Sequence, residues 1–446
     1  MNHPKFPPTV VRLISLATIV LILAFTAEAQ TERIIHPFNY TNHTDGSGPE
    51  GNVVADSAGN LYGTAFGSGS GGDGIVYELS PPVPPSGTWT ETILHAFTGP
   101  DGSDPSAGLI FDSAGNLYGT TAYGGNGPCT VLAVRLGCGV VFELSPPATS
   151  GGSWTESVLY NFQFGSDSGG SVAPLTFDSA GNLYGTASGQ GFDSAFTDSG
   201  SVFQLTPPSL PGGAWTETTL LSFPAFSLGQ NPFAPVAFDA SGNLYGTTYF
   251  GGNRICPGTG LGCGVLFQLA PPAVTGGSWT ETVLHTFNQG SRDGANPVGG
   301  VAIDPSGALV GTTNRGGSSS AGTVFLMRPP ASLGGAWTYA TIHTFAGGTA
   351  DGANPRAGIT FGVNRALYGT TSTGGTLNEG VVFQLTQPAS SGNPWAETIL
   401  HSFHGSGSNG EGLTPFGGVM LHGGILVGTT LAGGFQNSGT VYAVVP

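Results

Sequence analysis

The stretch Leu117-Tyr118-Gly119-Thr120 decides the fold, because close copies of it recur along the whole chain. All seven copies read Leu-(Tyr/Val)-Gly-Thr, and the pattern Asp-x-x-Gly-(Asn/Ala) stands just before five of them. The central glycines of the copies are Gly63, Gly119, Gly185, Gly246, Gly311, Gly369 and Gly428. Self-similarity of this kind indicates a repeat architecture, such as a solenoid or a propeller.

Each repeat is predicted to contain four β-strands, which the second repeat shows clearly. Strand A covers 108–112, strand B 117–121, strand C 140–144 and strand D 154–159, and all four are rich in β-branched and aromatic residues. The pair Pro146-Pro147 ends strand C, because proline cannot donate a hydrogen bond to a strand ladder. The pattern predicts an all-β protein.

The chain ends supply the evidence for a closed ring. The seventh repeat stops after its strand C, so it lacks the Trp-Thr-Glu strand that ends the other repeats. The stretch 31–38 matches the end of the first repeat, 90–97, at five of eight positions. We therefore predict a seven-bladed β-propeller with four strands per blade over 30–446, in which the N-terminal strand 31–38 completes the last blade.

The central glycine of each repeat is expected to have a packing role. Strands of neighbouring blades converge near the propeller axis, where a side chain would collide with the next sheet. Glycine lacks a Cβ atom and permits a close approach of the backbone. We therefore expect each of these glycines to face the neighbouring blade.

The N-terminus is predicted to be a secretion signal covering 1–29. Lys5 and Arg12 precede an apolar run over 13–25, and Ala27-Glu28-Ala29 has the pattern of a cleavage site. The apolar run is shorter than the roughly 20 residues of a membrane span, although an uncleaved anchor is the alternative. We expect a protein secreted to the periplasm or the medium.

Charge excludes some classes of partner. The chain has a net charge of −16, and Lys5 is its only lysine. Such a charge repels nucleic acid and anionic membrane surfaces. We expect no nucleic-acid partner, no membrane contact beyond the signal segment, and a monomer.

Loop lengths separate a constant face of the disc from a variable one. Strand directions alternate, so the B–C and D–A loops share one face. The central glycine precedes the strand-C aromatic residue by 14 positions in four repeats (as in Gly63 to Tyr77), but by 23 in repeat 2, 18 in repeat 3 and 21 in repeat 4. The three long loops are consecutive, which favours a functional site there.

Non-repeating residues around these loops are the candidates for ligand binding. Aromatic rings could stack on sugars or anchor a peptide, and arginines are rare cations in this acidic chain that could bind carboxylates. The candidates are Tyr123, Arg135, Phe192, Phe196, Tyr249, Phe250, Arg254, Arg292 and Arg315. The two long loops of repeats 2 and 4 also hold all four cysteines, for which we predict local disulfides Cys129–Cys138 and Cys256–Cys263.

Polar residues that recur in most repeats are interpreted as structural. The strand-D histidines (His36, His95, His285, His343 and His401) occupy one position and indicate packing. The strand-D glutamates are expected on an outer edge, where charge discourages edge pairing. The aspartates before the central motif and in the D–A loops are expected to bond turn backbone. No familiar catalytic or metal-binding motif occurs, so we expect no metal, no cofactor and no catalytic residue.

The repeat resembles a known family. The shared features are His-x-Phe followed by Asp-Gly-x-x-Pro, then Asp-Ser-Ala-Gly-Asn-Leu-Tyr-Gly-Thr-Thr and Gly-Val-Val-Phe-Glu-Leu. They resemble the choice-of-anchor tandem repeat group often called GloVer-containing proteins. The resemblance implies a bacterial secreted or surface protein and no particular activity. This chain departs from the group's pattern because no C-terminal anchor segment follows its last repeat.

Three functions remain open on the sequence alone. The first is a non-enzymatic propeller that binds a glycan or a cell-surface protein through the long loops of blades 2–4. The second is a propeller hydrolase or lyase acting on extracellular carbohydrate, which predicts acids, bases or metal ligands converging at the axis on the variable face. The third is a structural surface module.

Overall fold

A computed structural model describes residues 32–446 except 43–44, 70, 83–86, 132–133, 150, 164, 166, 190–198, 211, 225–228, 253–254, 258–260, 275, 333, 391–393 and 406–409. Seven four-stranded antiparallel sheets follow one another along the chain, which confirms the seven-bladed propeller. The predicted signal segment 1–29 lies outside the described residues.

The strand bounds repeat from blade to blade. In blade 1 they are Val54–Ala55, Leu61–Ala65, Ile75–Ser80 and Thr90–Ala96, and in blade 2 Ile110–Phe111, Leu117–Thr120, Val140–Ser145 and Thr155–Asn161. In blade 3 they are Thr176–Phe177, Leu183–Ala187, Ser201–Thr206 and Thr216–Ser222, and in blade 4 Ala237–Phe238, Leu244–Thr248, Val265–Ala270 and Thr280–Thr286. In blade 5 they are Ala302–Ile303, Leu309–Thr313, Thr323–Arg328 and Thr338–Thr344, and in blade 6 Thr360–Phe361, Leu367–Thr371, Val381–Thr386 and Ala396–Ser402.

Blade 7 combines both ends of the chain. Its strands are Met420–His422, Ile425–Thr430, Thr440–Val444 and the N-terminal Arg33–Pro37, which pairs antiparallel with Thr440–Val444. The backbone N–H of Phe38 also donates to the carbonyl of Gly439 at 3.0 Å. The predicted closing strand is therefore confirmed.

The central glycines have a different neighbour from the one expected. A Cβ atom at Gly311 would lie 2.5 Å from Cζ of Phe325, the residue paired with it on strand C of the same blade. Equivalent rings lie over the other central glycines, for example Tyr77 over Gly63 and Tyr442 over Gly428. The expectation that these glycines face the next blade is wrong. They make room for a buried aromatic ring within their own sheet.

The threonine of the central motif joins neighbouring blades. Thr64 Oγ1 donates to the carbonyl oxygen of Ala107 in the next blade at 2.7 Å, and Thr429 Oγ1 donates to the carbonyl oxygen of Gly51 at 3.0 Å across the closure. The other five form the same bond: Thr120, Thr186, Thr247, Thr312 and Thr370. Each of the seven junctions thus has this threonine hydrogen bond.

The hydrophobic core consists of layers between blades. One layer packs Val310 and Val324 of blade 5 against Leu367, Phe383 and Leu385 of blade 6. The aspartate before the central motif bonds its own turn as predicted: Asp56 accepts from the backbone N–H groups of Ala58 and Asn60, both at 2.9 Å. These repeated features are structural.

The outer-strand glutamates lie between blades and not at an exposed edge. The side chains of Glu91 and Glu397 are only 17% and 15% exposed, because each is covered by the neighbouring blade. The edge role expected for them is therefore wrong. Helices among the described residues are short 3-10 turns (Tyr40–Asn42, Gly348–Ala350, Val363–Arg365 and Phe435–Asn437), and none could cross a membrane.

Candidate functional site

A cavity of about 980 Å³ lies on the propeller axis. Every blade contributes to its lining, mainly through the ends of the D–A loops and the starts of the B–C loops. The cavity is therefore on the face that carries the long loops of blades 2–4. Its volume lies at the upper end of the range for small-molecule sites, about 300–1,000 Å³.

One position per blade supplies a partly buried side chain to the lining. In six blades it follows the proline of the D–A loop, and in blade 3 it follows Ser171. We call these seven residues the axial ring: Glu50, Ser106, Val172, Phe233, Val298, Arg356 and Phe416. No two neighbouring blades carry the same residue, in contrast to the repeated sequence on either side.

The D–A loop sets the direction of the axial ring. In blade 6, Asn354 has a φ of 57°, and the buried Pro355 packs against Gly322 of the preceding blade. The residue after Arg356, Ala357, is buried and accepts the hydrogen bond of Thr312. With both neighbours fixed against the preceding blade, Arg356 extends from the loop into the cavity.

Three charged groups converge at one side of the cavity. Burial raises the pKa of Glu50 to about 7, and the nearby Asp104 carboxylate adds to this while Arg356 opposes it. Burial also raises the pKa of Asp104, against a hydrogen bond that Ser106 Oγ donates to its Oδ1 at 2.6 Å. Glu50 is therefore poised to change charge near neutral pH.

Arg356 is the cation of this group. Burial lowers the pKa of Arg356, while the nearby Glu50 raises it. Its guanidinium lies 3.8 Å from the ring centroid of Phe416, its neighbour in the axial ring. Within the described part of the chain no ion pair holds this guanidinium. Its hydrogen-bond donors therefore remain available to a ligand.

Aromatic rings form the wall contributed by blade 4. The ring of Tyr249 lies 5.6 Å from Phe233 and 4.6 Å from Phe250, both edge-on. Tyr123 of blade 2 also lines the cavity, and burial raises its pKa. The cavity thus combines a charged side with an aromatic side.

The structure brings three of the nine predicted site residues together. Tyr123, Tyr249 and Phe250 all line the axial cavity. Arg292 and Arg315 are exposed and lie outside the cavity lining.

The remaining predicted residues fall in or beside the long loops. Arg135 lies in a two-residue strand, Val134–Arg135, that pairs with Thr130–Val131. Phe192, Phe196 and Arg254 lie outside the described residues.

Both predicted disulfides are present in the structure. Cys129 pairs with Cys138, and Cys256 pairs with Cys263. Gly137 and Cys138 line the axial cavity, so the first disulfide fixes part of the cavity wall.

The sequence analysis did not identify the charged residues of the cavity as site residues. Asp104 was assigned to turn chemistry, and neither Glu50 nor Arg356 was singled out. A signal existed in the repeat itself: six of these positions follow a recurrent proline, yet the residue type changes around the ring. Aligning the repeats on the D–A loop would have exposed it.

Comparisons with solved structures found matches of low sequence identity and low TM-score. A Bacteroides uniformis protein assigned as a 6-phosphogluconolactonase is 14% identical, with 78% of this chain and 84% of that chain covered and a TM-score of 0.47. A protein of unknown function from Dyadobacter fermentans is 12% identical, with coverages of 94% and 99% and a TM-score of 0.43. A glucose dehydrogenase is 15% identical, with coverages of 93% and 99% and a TM-score of 0.40.

Comparison at the sequence level identifies the family. No curated protein matches the sequence. The sequence profile of the Gloeobacter/Verrucomicrobia repeat matches residues 20–209, 129–360 and 193–442, and these overlapping matches span nearly the whole chain. The resemblance noted in the repeat is thereby confirmed, and the chain belongs to the Gloeobacter/Verrucomicrobia repeat family.

Proposed function

We propose that this protein binds an oligosaccharide in the axial cavity. The axial ring carries the proposal: one residue in each blade escapes the repeat, and all seven line the same cavity. A purely structural role would let these positions follow the repeat, as the surrounding prolines, glycines and threonines do. Chemical diversity at symmetric positions is what recognition of an asymmetric ligand requires.

The chemistry of the lining suits a sugar. The faces of Tyr249 and Phe233 offer apolar surface to the C–H side of a pyranose ring, as buried aromatic groups do at many recognition sites. On the charged side, Arg356 can donate to ligand hydroxyl or carboxylate oxygens. Asn231 and Asn314 also line the cavity; the Nδ2 groups already donate to the carbonyl oxygens of Ser188 and Pro355, and the amide oxygens can accept from a sugar hydroxyl. Gly137 and Cys138 of the long loop of blade 2 add to the lining.

Binding can be tested on an array of bacterial and plant polysaccharide fragments. We expect the purified protein to bind at least one glycan, and Arg356→Ala and Tyr249→Ala to weaken that binding at least tenfold. Arg292→Ala is the matched control, because Arg292 is an exposed arginine outside the cavity. Equal affinities for Arg356→Ala and Arg292→Ala on every glycan bound would overturn the proposal.

Glycan hydrolysis or elimination is a second candidate function. The observation that favours it is Glu50, a buried carboxyl whose pKa near 7 suits a general acid, with the Asp104 carboxylate nearby. The bound glycan should then be converted to shorter products, and Glu50→Gln should abolish conversion while retaining binding. Chromatography of the glycan after prolonged incubation distinguishes this enzyme from a binding protein, which leaves the glycan intact.

Secretion and a monomeric state complete the proposal. Two disulfides favour an oxidising compartment, and the N-terminal pattern favours export. We expect the exported protein to begin at Gln30 and to have the mass of one chain. N-terminal sequencing and light scattering check both; a retained 1–29 segment or a dimeric mass would contradict them.

A further inference from the structure

A second set of polar residues lies at the junctions between blades, away from the axial cavity. There the strand-D histidine of one blade meets the acidic residue in the loop that leads to the next. At the junction of blades 7 and 1, His36 Nε2 lies 3.5 Å from Asp45 Oδ1. At the junction of blades 5 and 6, His343 Nε2 lies 4.0 Å from Asp351 Oδ1.

A glutamate from the following blade completes a group of three at these two junctions. His36 Nε2 lies 3.8 Å from Glu91 Oε1, and His343 Nε2 lies 3.5 Å from Glu397 Oε2. In each group, one candidate ligand atom from each residue lies within 4.8 Å of the other two. Two carboxylates and an imidazole nitrogen therefore share one small, largely enclosed space.

The positions of these side chains are already fixed by the fold. Asp45 accepts backbone N–H groups from Asn39 at 2.9 Å and Gly46 at 2.8 Å. Asp351 accepts the equivalent pair, both at 2.6 Å. Each histidine ring also packs edge-on against the phenylalanine two residues later, with centroids 4.8 and 4.7 Å apart. Such outer contacts orient a metal ligand in advance.

Several side-chain atoms in the two groups lack a hydrogen bond. Among the described residues, Glu91 Oε1, Glu397 Oε1 and His343 Nε2 are buried and accept or donate no hydrogen bond. A buried polar atom without a partner costs free energy, and a nearby cation removes that cost.

One other junction of the ring has a histidine and an aspartate but no glutamate. At the junction of blades 4 and 5, Tyr339 occupies the glutamate position and stacks on His285 at a centroid distance of 3.8 Å. There His285 Nε2 and Asp293 Oδ1 close to a hydrogen bond of 3.0 Å. The histidine–aspartate separations at the two complete groups, 3.5 and 4.0 Å, are wider and leave room for an ion. At the junction of blades 1 and 2, where Glu156 holds the glutamate position, His95 Nε2 and Asp101 Oδ2 lie only 3.1 Å apart, and we expect no ion there.

We propose that each complete group binds one divalent transition-metal ion of the zinc class, through the histidine Nε2 and one oxygen from each carboxylate. Zinc lies about 2.0–2.2 Å from nitrogen and oxygen ligands, so ligands that share it lie about 3.3–3.6 Å apart in a tetrahedron. The histidine–carboxylate separations of 3.5–4.0 Å are close to this range, and side-chain rotation can bring the ligand atoms onto one ion. An imidazole ligand favours zinc, cobalt or nickel over calcium and magnesium.

The proposed sites would act on ring closure and are independent of glycan binding. His36 belongs to the N-terminal strand that completes blade 7, whereas Glu91 belongs to blade 1. An ion bound there links the closing strand to the first blade. The same link recurs between blades 5 and 6 through His343 and Glu397.

Calorimetric titration of chelator-treated protein with zinc chloride tests the proposal. We expect two zinc ions per chain, one fewer for Glu91→Gln or Glu397→Gln, and none for the double variant. Glu281→Gln is the matched control, because Glu281 holds the same strand position at a junction where Leu221 replaces the histidine. This variant should still bind two ions.

A spectroscopic readout separates metal binding from a folding defect. Cobalt bound by these ligands should give visible absorption bands that Glu91→Gln and Glu397→Gln each reduce by about half, with unchanged circular dichroism. Zinc should also raise the melting temperature of the wild type more than that of the double variant. Stoichiometry or cobalt spectra that are the same in the wild type and the double variant would overturn the proposal.

Discussion

Gly311→Ala tests how the central motif holds each blade together. The new Cβ atom would lie 2.5 Å from Cζ and 2.8 Å from Cε1 of Phe325, where carbon atoms normally stay about 3.5–4.0 Å apart. Phe325 is completely buried and its ring lies 5.4 Å from that of Phe287, so it cannot move aside freely. Overpacking of this kind costs about 1–3 kcal/mol, which exceeds the 0.5–1 kcal/mol that alanine gains over glycine in a strand.

We therefore expect Gly311→Ala to lower the free energy of unfolding by about 1–2 kcal/mol. Equilibrium urea unfolding, followed by tryptophan fluorescence, measures this change. The exposed Thr338→Ala on the outer strand of the same blade is the control and should have little effect.

The aromatic ring is the specific cause of the expected loss, so its removal should relieve it. In a Phe325→Leu background, Gly311→Ala should cost at least 1 kcal/mol less than in the wild type, since residues in contact show couplings of this size. Additive effects of the two substitutions would refute the assignment of the glycine to its own blade's ring. So would a stabilising effect of Gly311→Ala alone.

Three further predictions address the junctions, the cavity and the loops. Thr312→Val removes one of the seven inter-blade hydrogen bonds and should cost about 1 kcal/mol in urea unfolding; no loss would contradict the bond. The raised pKa of Glu50 means that the folded protein favours the protonated carboxyl. The stabilisation that Glu50 contributes is therefore complete below pH 4.5 and is lost as the pH rises through about 7. Other buried carboxyls, such as Glu32 and Glu397, also have raised pKa values and lower the stability of both proteins over this range. Between pH 4.5 and 8 the wild type should therefore lose up to about 3 kcal/mol more of its unfolding free energy than Glu50→Gln does, and pH profiles that differ by a constant offset would refute the prediction. Replacing Cys129 and Cys138 by serine opens a loop of nine residues and should cost about 2–3 kcal/mol, whereas unchanged stability would show that the loop is held without its disulfide.

Closure of the ring could be predicted from the sequence because it depends on a strand that the last repeat lacks. The seventh repeat lacks an outer strand, and the stretch 31–38 has no blade of its own. The structure pairs Arg33–Pro37 with Thr440–Val444, as this count requires. The identity and order of the strands follow from the residue pattern of each repeat and from the number of strands in it, and both can be read from the sequence.

Side-chain packing could not be predicted in the same way. The central glycine was assigned to the wrong neighbour because its environment depends on which strand-C ring turns over it. The outer-strand glutamates were placed at an edge because the sequence does not show how far one blade overlaps the next. Both errors concern contacts between elements and not the elements themselves.

The axial cavity shows the same limit. Tyr123, Tyr249 and Phe250 were found because they stand in unusual loops, whereas Arg356 follows a recurrent proline and looks like part of the repeat. Only closure of the ring places Arg356 beside Glu50, 306 positions away in sequence. Residues at equivalent positions in every repeat deserve comparison with one another before they are called structural.

A crystal structure of the protein with the glycan selected on the array would test the central proposal most directly. The account predicts that the sugar occupies the axial cavity, stacked on Tyr249 or Phe233 and within hydrogen-bond distance of Arg356. A glycan bound on the opposite face, or on the outer rim with the axial ring untouched, would contradict it.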